Sequence, residues 1–384
     1  KLPFEVRVEG FSPVVPHGGP DASLPVAYLN VEVRNPRSFP IQCAVALSWE
    51  DITGRGGSAL RNDQFGTARN LVHSDAASSN VVGIVMDAQE KADGRRSTFL
   101  GTTFIGVETT ATLVVTRTLH WDPRGSSIPW WKRFATVGRL ERRPEKAAVR
   151  TVATEGRRSS AAVVCATFHL APKEVRRVPF IIAWHYPRIV TVSTDGASGP
   201  MVLEQDYASR FASAVGVAAY ASQHYNRLRA ATREWHDLVM ESNVPGWLKT
   251  RALNSLFPLA SSSVLLSGGL FSMLESPVDL RGMLGGIDIR LAANGFLASM
   301  FPELDGTELE LFARAQTADG RIPRYVGNLH GGYTDLDPRL LGGEWSDATS
   351  AWILQVASRY QSTGEKDFVG RVWPAVIRAV DYLT

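Results

Sequence analysis

Two carboxylates stand where an apolar stretch gives way to a loop and then to a helical pattern. The run Leu270-Phe271-Ser272-Met273-Leu274 leads into Glu275, and Gly285-Gly286-Ile287 leads into Asp288. Cleaving a glycosidic bond takes two carboxyl groups across the scissile bond, one to attack or to activate water and one to protonate the departing oxygen. An apolar lead-in holds a carboxylate rigid and partly dry, so its charge then needs hydrogen bonds or a neighbouring cation. Arg281, Arg290 and Arg324 are the candidates for that cation. Blander roles fit the same spacing: Glu275 as a surface or capping residue beside Pro277, and Asp288 as an acid at a helix N-terminus.

Other chemistries find less support in the residues. The eight histidines are scattered, and Glu234-Trp235-His236-Asp237 lacks the second His of a zinc-binding helix. Asp335-Leu336-Asp337 fits a solvated turn better than a calcium site, because no further ligand pattern accompanies it. The Gly clusters at 54–57, 268–269 and 285–286 lack the Lys-Ser/Thr or the strand context of a phosphate loop. No cofactor or metal is expected. A net charge of +3 is too small an excess for a phosphate-tracking surface, and the densest basic stretch, Lys132 to Arg158, is interleaved with Glu141, Glu145 and Glu155, so nucleic acid is not an expected partner. Trp130 and Trp131 fit either a sugar platform or the packing of a β domain, and packing is preferred.

These groups need elements to hold them. With 384 residues, and about 100 to 200 per domain, two domains are expected. Up to about Ile189 the apolar period is two: Ala27, Leu29, Val31 and Val33 alternate with Tyr28, Asn30 and Glu32, and Val178, Phe180, Ile182 and Trp184 repeat the pattern. The expectation is a β-sandwich over 1–205. Cys43 and Cys165 fall in such runs, as buried thiols or as one disulfide. From about Asp206 the period becomes 3.6; residues 207–240 read as one long helix, so 206–244 is a linker helix. Residues 245–384 then read as helices at about 245–259, 288–301, 307–316, 346–361 and 367–383. The last two form a hairpin around Ser362-Thr363-Gly364-Glu365, the repeating unit of helical toroids. The polar, Gly-containing stretch 317–345 is where a site would be built. No run approaches the roughly 18 apolar residues of a membrane span, so no transmembrane segment is expected. The residues at Lys1 show no signal core, so the expected location is open: a soluble protein, cytoplasmic or secreted with the signal removed ahead of Lys1.

A series of short motifs runs through the chain in order. It begins with Ser12-Pro13-Val14-Val15-Pro16-His17 and Ser23-Leu24-Pro25-Val26 and passes through Ala183-Trp184 and Pro187-Arg188-Ile189. It continues with Pro245-Gly246-Trp247-Leu248-Lys249, Met273-Leu274-Glu275, Asp288-Ile289, Phe301-Pro302-Glu303-Leu304, Ile322-Pro323, Thr363-Gly364 and Val372-Trp373-Pro374. In this series the chain resembles glycoside hydrolase family 116, which includes non-lysosomal glucosylceramidase and bacterial β-glucosidases. The resemblance implies a β-sandwich followed by a six-hairpin α/α barrel, of which 245–384 would be the first part. It implies a retaining exo-glycosidase acting on a carbohydrate or glycoconjugate, with Glu275 as nucleophile and Asp288 holding sugar hydroxyls.

The resemblance has departures. Leu284-Gly285-Gly286-Ile287 replaces the family's Asn-Thr and aromatic approach to the aspartate, and Ile322-Pro323-Arg324 replaces Ile-Pro-His, making Arg324 the sugar-contacting residue. Glucose specificity is therefore open to another glycone, such as an arabinofuranoside or a xyloside, and a carbohydrate-binding homologue without turnover is a further reading. The family's acid/base aspartate would lie beyond Thr384, in the same protein or in a second polypeptide that completes the barrel.

Overall fold

A computed structural model describes residues 3–53, 70–78, 80–89, 101–123, 125, 127–140, 148–152, 160–190, 202–275, 283–293, 295–328 and 345–384. Pro277, Arg281, the Gly54-Arg55-Gly56-Gly57 turn and Asp335-Leu336-Asp337 lie outside these residues. The contacts divide the chain into two units, one of Lys1–Pro13, Ser23–Pro187 and Tyr207–Glu234, the other of Val14–Ala22, Arg188–Asp206 and Trp235–Thr384.

Period-two alternation produces strands throughout the first unit. They are β1 (Glu5–Phe11), β2 (Val26–Arg34), β3 (Ile41–Glu50), β4 (Asn70–Ser78), β5 (Val81–Gln89), β6 (Thr102–Glu108), β7 (Val114–Trp121), β8 (Ala148–Val152), β9 (Ala161–Leu170) and β10 (Val175–His185). All pair antiparallel, in a seven-stranded sheet of order β1-β2-β10-β6-β5-β4-β8 and a three-stranded sheet of order β3-β9-β7. Ile84, Met86, Ile105, Val107 and Phe180 of the larger sheet share a buried core with Cys43, Ala162, Val164, Ala166 and Phe168 of the smaller one.

The larger sheet is buried on its other face too, which the alternation did not suggest. Tyr28 and Asn30, read as the polar face of β2, are 0% and 1% exposed. Helices α2 (Ala214–Gln223) and α3 (Tyr225–Glu241), which follow the short α1 (Trp131–Val137), explain this. Ala214, Val217, Ala218, Ala221, Tyr225 and Leu228 pack over Val26, Tyr28, Phe104, Ile181 and Ala183. The buried polar groups are matched: Tyr225 donates its hydroxyl to Asn30 Oδ1 at 2.8 Å, and Asn30 Nδ2 donates to Glu9 at 2.8 Å. The long helix expected over 207–240 is thus two helices that part at His224. Tyr28 donates its hydroxyl to the Ala221 carbonyl at 2.9 Å, the acceptor that a continuous helix would have given to the Tyr225 N–H.

Both cysteines are buried free thiols, so the disulfide alternative falls away. They lie on opposite faces of the three-stranded sheet. Cys43 pairs with Phe168 in the intersheet core, whereas Cys165 pairs with Ala46 and packs with Leu140, Trp121, Trp130 and Phe134.

In the second unit short strands and helices alternate. After β11 (Arg188–Val190) and β12 (Val202–Glu204) come α4 (Gly246–Asn254), α5 (Phe257–Ser261), β13 (Ser263–Leu266), β14 (Leu270–Glu275), β15 (Met283–Leu284), α6 (Ile287–Ala293), α7 (Phe296–Met300) and α8 (Pro302–Arg314). The order ends with β16 (Gly327–Asn328), α9 (Ala348–Thr363) and α10 (Lys366–Leu383). The helix expected over 245–259 is interrupted at Ser255-Leu256, and that over 288–301 is interrupted ahead of Phe296. The antiparallel sheet β13-β14-β15-β16 was not anticipated, because an apolar run of this length carries no period of its own.

Trp352, Phe312, Phe368, Leu309, Ile287 and Leu284 form the core of this unit, and Trp352 Nε1 donates to the Leu309 carbonyl at 3.1 Å. Gly364 ends α9 in the left-handed conformation, φ +68°, as a helix stop should. Helix α10 carries an apolar stripe that is only partly covered: Phe368, Val372, Ala375, Val376 and Ala379 are buried, while Trp373, Ile377 and Val380 are exposed. Among the described residues, no helix is long and apolar enough to cross a membrane.

Candidate active site

Glu275 is the last residue of β14, the strand that its apolar lead-in forms. Its backbone pairs with Met283 in β15, and Leu274 pairs with Leu284. The chain then turns through Gly285, whose N–H donates to the Met273 carbonyl at 2.8 Å and whose φ is +61°. A Cβ at Gly285 would also come within 3.2 Å of Glu308 Oε1 and of the Phe312 ring. This turn starts α6 beside the end of β14 and puts Asp288 in its first turn. Residues 322–326 run alongside: Ile287 N–H donates to the Arg324 carbonyl at 3.0 Å, and Val326 N–H donates to the Leu284 carbonyl at 3.0 Å. Glu275, Asp288 and Arg324 therefore reach one place from three backbone segments.

Arg324 joins the two acids. Its Nη2 and Nε donate to Asp288 Oδ2 and Oδ1 at 3.0 and 3.3 Å, and Nη2 lies 4.0 Å from Glu275 Oε1. Its guanidinium is 3.6 Å from the Trp345 ring centroid and 4.8 Å from that of Tyr325, so two aromatic rings as well as two anions fix its orientation. All three charged side chains are mostly but not fully buried, at 13% exposure for Glu275, 19% for Arg324 and 22% for Asp288. Such a partly desolvated group, one positive charge against two negative, can attract and orient a polyhydroxylated ligand while keeping one carboxylate oxygen available.

Arg290, another candidate cation for Glu275, is used elsewhere. It is 3% exposed and lies in an ionic network behind β14. Its Nη2 donates to the Asp305 carboxylate and, at 3.0 Å, to the Asp305 carbonyl; its Nη1 donates to Gln355 Oε1 at 3.3 Å. Its Nε is 3.2 Å from Glu308 Oε2 as an ion pair rather than an aligned hydrogen bond. Glu308, with no exposed side-chain surface, accepts the Met273 N–H on Oε1 at 2.8 Å and so ties α8 to the strand that carries Glu275. Burial pushes the Glu308 carboxyl up, against the opposing pull of Arg290. Arg359 completes the network, donating to Asp305 Oδ2 at 3.1 Å and pairing with Glu365. Gln355 Nε2 donates to the Ile287 carbonyl at 3.0 Å and thereby holds the start of α6.

Sequence reasoning named Gly286 only as a departure in the approach to Asp288 and Arg290 only as a candidate cation; it missed Tyr325, Trp345 and the rest of this network. The network did leave a trace. On α8, Asp305 and Glu308 share the buried stripe of Phe301, Leu309 and Phe312, and acids on an apolar helix face require partners. Tyr325 and Trp345 left none, because an aromatic residue in a loop carries no period. Among the described residues, no group of three or more His, Cys, Asp or Glu could hold a metal ion.

Comparison with known families and structures adds two findings. The family profile described as beta-glucosidase 2, glycosyl-hydrolase family 116 N-term, matches residues 1–228. Among solved structures, the family GH92 alpha-mannosidase BT3965 from Bacteroides thetaiotaomicron is similar at 10% identity, over 97% of this chain and 49% of that one, with a TM-score of 0.30. The same enzyme in complex with mannoimidazole gives 8% identity, 92% and 48% coverage, and a TM-score of 0.28. The chain spans about half the length of these structures. TM-scores so low carry no argument about its fold.

Proposed function

Because the chain belongs to glycosyl-hydrolase family 116, we propose that the Glu275–Asp288–Arg324 cluster is the sugar-binding end of a retaining exo-glycosidase site. The observation that carries this reading is the bridge by one guanidinium, 3.0 Å from Asp288 and 4.0 Å from Glu275. In the proposed reaction Glu275 attacks the anomeric carbon and forms a glycosyl ester as the bond to the leaving oxygen breaks. Water then hydrolyses the ester. Asp288, held at two points by Arg324, is a fixed acceptor for sugar hydroxyls. Trp345, at 39% exposure, is open enough to contact the sugar.

The proton for the leaving oxygen must come from a second carboxyl about 5 to 5.5 Å from the first in a retaining enzyme. In this proposal that acid lies outside the described residues. The architecture goes with it: a β-sandwich over 1–205, a linker over 206–244, and the first part of an α/α barrel over 245–384. A β-glucoside is the default substrate of the family resemblance. Arg324 is a larger, permanently charged group where a His is expected, and that supports a different glycone, a furanoside or a pentoside.

A fluoro-sugar that traps glycosyl-enzyme intermediates, followed by peptide mapping, tests the assignment. Label on the peptide carrying Glu275 is expected, and label on another peptide overturns it. A panel of aryl glycosides, β-glucoside against β-xyloside and arabinofuranoside, then ranks the glycones.

A further inference from the structure

We infer that Tyr325 is a positioning residue for the nucleophile, its hydroxyl directed to Glu275 Oε2, the carboxylate oxygen turned away from Arg324. This rests on the reading of Glu275 as nucleophile.

Two buried polar atoms of this site are left without a hydrogen-bond partner: Glu275 Oε2 and the Tyr325 hydroxyl. One can only accept and the other can donate, so the two complement each other. They are also neighbours. A Cβ placed on Gly286 would lie 2.5 Å from Glu275 Oε2 and 3.4 Å from Tyr325 Cε1, so the missing side chain of Gly286 leaves the space that both groups border. The Tyr325 side chain is almost wholly buried, at 1% exposure, under the Arg324 guanidinium. Burial first, and the Glu275 carboxylate second, hold the phenol above its ordinary range, which keeps it a proton donor at any assay pH.

The other charged groups around Glu275 have their own partners. Arg324 faces the opposite oxygen, Oε1, and is paired to Asp288 of α6. Glu308 of α8 is spent on the Met273 N–H and on Arg290, behind the strand. That leaves Tyr325 as the donor for Oε2 among the described residues.

The chemistry follows from the division of labour between the two oxygens. Oε1 forms the bond to the anomeric carbon, and the bond to the leaving oxygen breaks with its electron pair and gains the proton. Oε2 becomes the ester carbonyl oxygen and accepts the inferred hydrogen bond from the Tyr325 hydroxyl. When water displaces the ester, negative charge returns to the carboxylate and the same bond strengthens.

The test is Tyr325→Phe in the full-length protein that carries this chain, assayed on an activated aryl glycoside. Losing a hydrogen bond to a charged group should lower kcat about 10- to 100-fold, with KM changed less than threefold. The acid limb of the kcat/KM profile should move to higher pH by about one unit. A merely structural role would leave that limb in place. Should the Phe variant fail to fold, 3-fluorotyrosine at position 325 keeps the shape and makes the phenol a stronger donor, and the acid limb should then move to lower pH. An unmoved limb in a folded variant, with kcat within twofold of the parent, overturns the inference while the fluoro-sugar still labels Glu275. Label on a residue other than Glu275 instead overturns the reading on which it rests.

Discussion

Two ionic clusters lie on either side of the end of β14, built from the same residue types and put to opposite uses. Behind the strand, Arg290, Arg359, Asp305 and Glu308 are nearly water-free, and most of their hydrogen-bonding capacity is spent on one another and on backbone groups. In front of it, Arg324, Asp288 and Glu275 are partly exposed, and Glu275 Oε1 lies 4.0 Å from Arg324, beyond hydrogen-bond reach. Although Arg290 Nε, Arg359 Nε and Glu308 Oε2 lack aligned hydrogen bonds, a cluster sealed from water can only hold things still, whereas one that reaches solvent has something to give a ligand. Substitutions in the rear cluster should therefore cost stability, and those in the front cluster should cost turnover.

The largest effect expected is in front. Glu275→Gln should lower kcat on the order of 10⁴-fold, about 5.5 kcal/mol, while thermal unfolding shifts little. A loss of both would erase the distinction. Next comes the rear cluster, where Arg359→Met removes one partner of Asp305 and leaves a buried charge short of its counter-ion. A cost of about 3 to 5 kcal/mol in chemical denaturation is expected, and a variant as stable as the parent would mean that the network holds nothing.

Asp288→Asn should lower kcat/KM about 10- to 100-fold through the sugar hydroxyls, with a stability change under about 1 kcal/mol because the ion pair with Arg324 is partly exposed. If the unfolding midpoint falls sharply instead, the front cluster is structural as well.

The smallest effect tests the comparison in the first unit. There, burial works to raise the Glu9 carboxyl, but hydrogen bonds from Arg229, Arg233 and Asn30 outweigh it and bring it down to about 2. A carboxyl lowered on folding adds stability above its unfolded value, near 4.3, and loses it as pH falls through that value toward 2. Melting temperatures of the parent and Glu9→Gln should therefore differ at neutral pH and converge toward pH 2. Parallel curves would show that Glu9 is not linked to folding.

How far the chain could be read in advance differs between these regions for physical reasons. Strands β2, β3, β9 and β10 were legible because one face of each packs against apolar neighbours, and period two records that. What alternation cannot record is a second buried face that is largely apolar but includes Tyr28 and Asn30, each matched to a distant partner. Tyr28 with Ala221 and Asn30 with Tyr225 are pairs separated by most of the unit's sequence, so neither the cover by α2 nor its break from α3 was visible. Glu275, Asp288 and Arg324 were picked out from residue type and family resemblance, and they do meet. The geometry that joins them was not legible, because it depends on where a side chain is missing, at Gly286, and on rings from loops that carry no repeat.

The two cysteines have a use beyond the question of a disulfide. Cys43 and Cys165 lie three strand positions apart in register but face different cores, and burial pushes both thiols up. A thiol reagent can reach either only when that side of the three-stranded sheet opens. Modification rates followed peptide by peptide would therefore time two separate local openings in one unaltered chain, one between the sheets and one beneath α1.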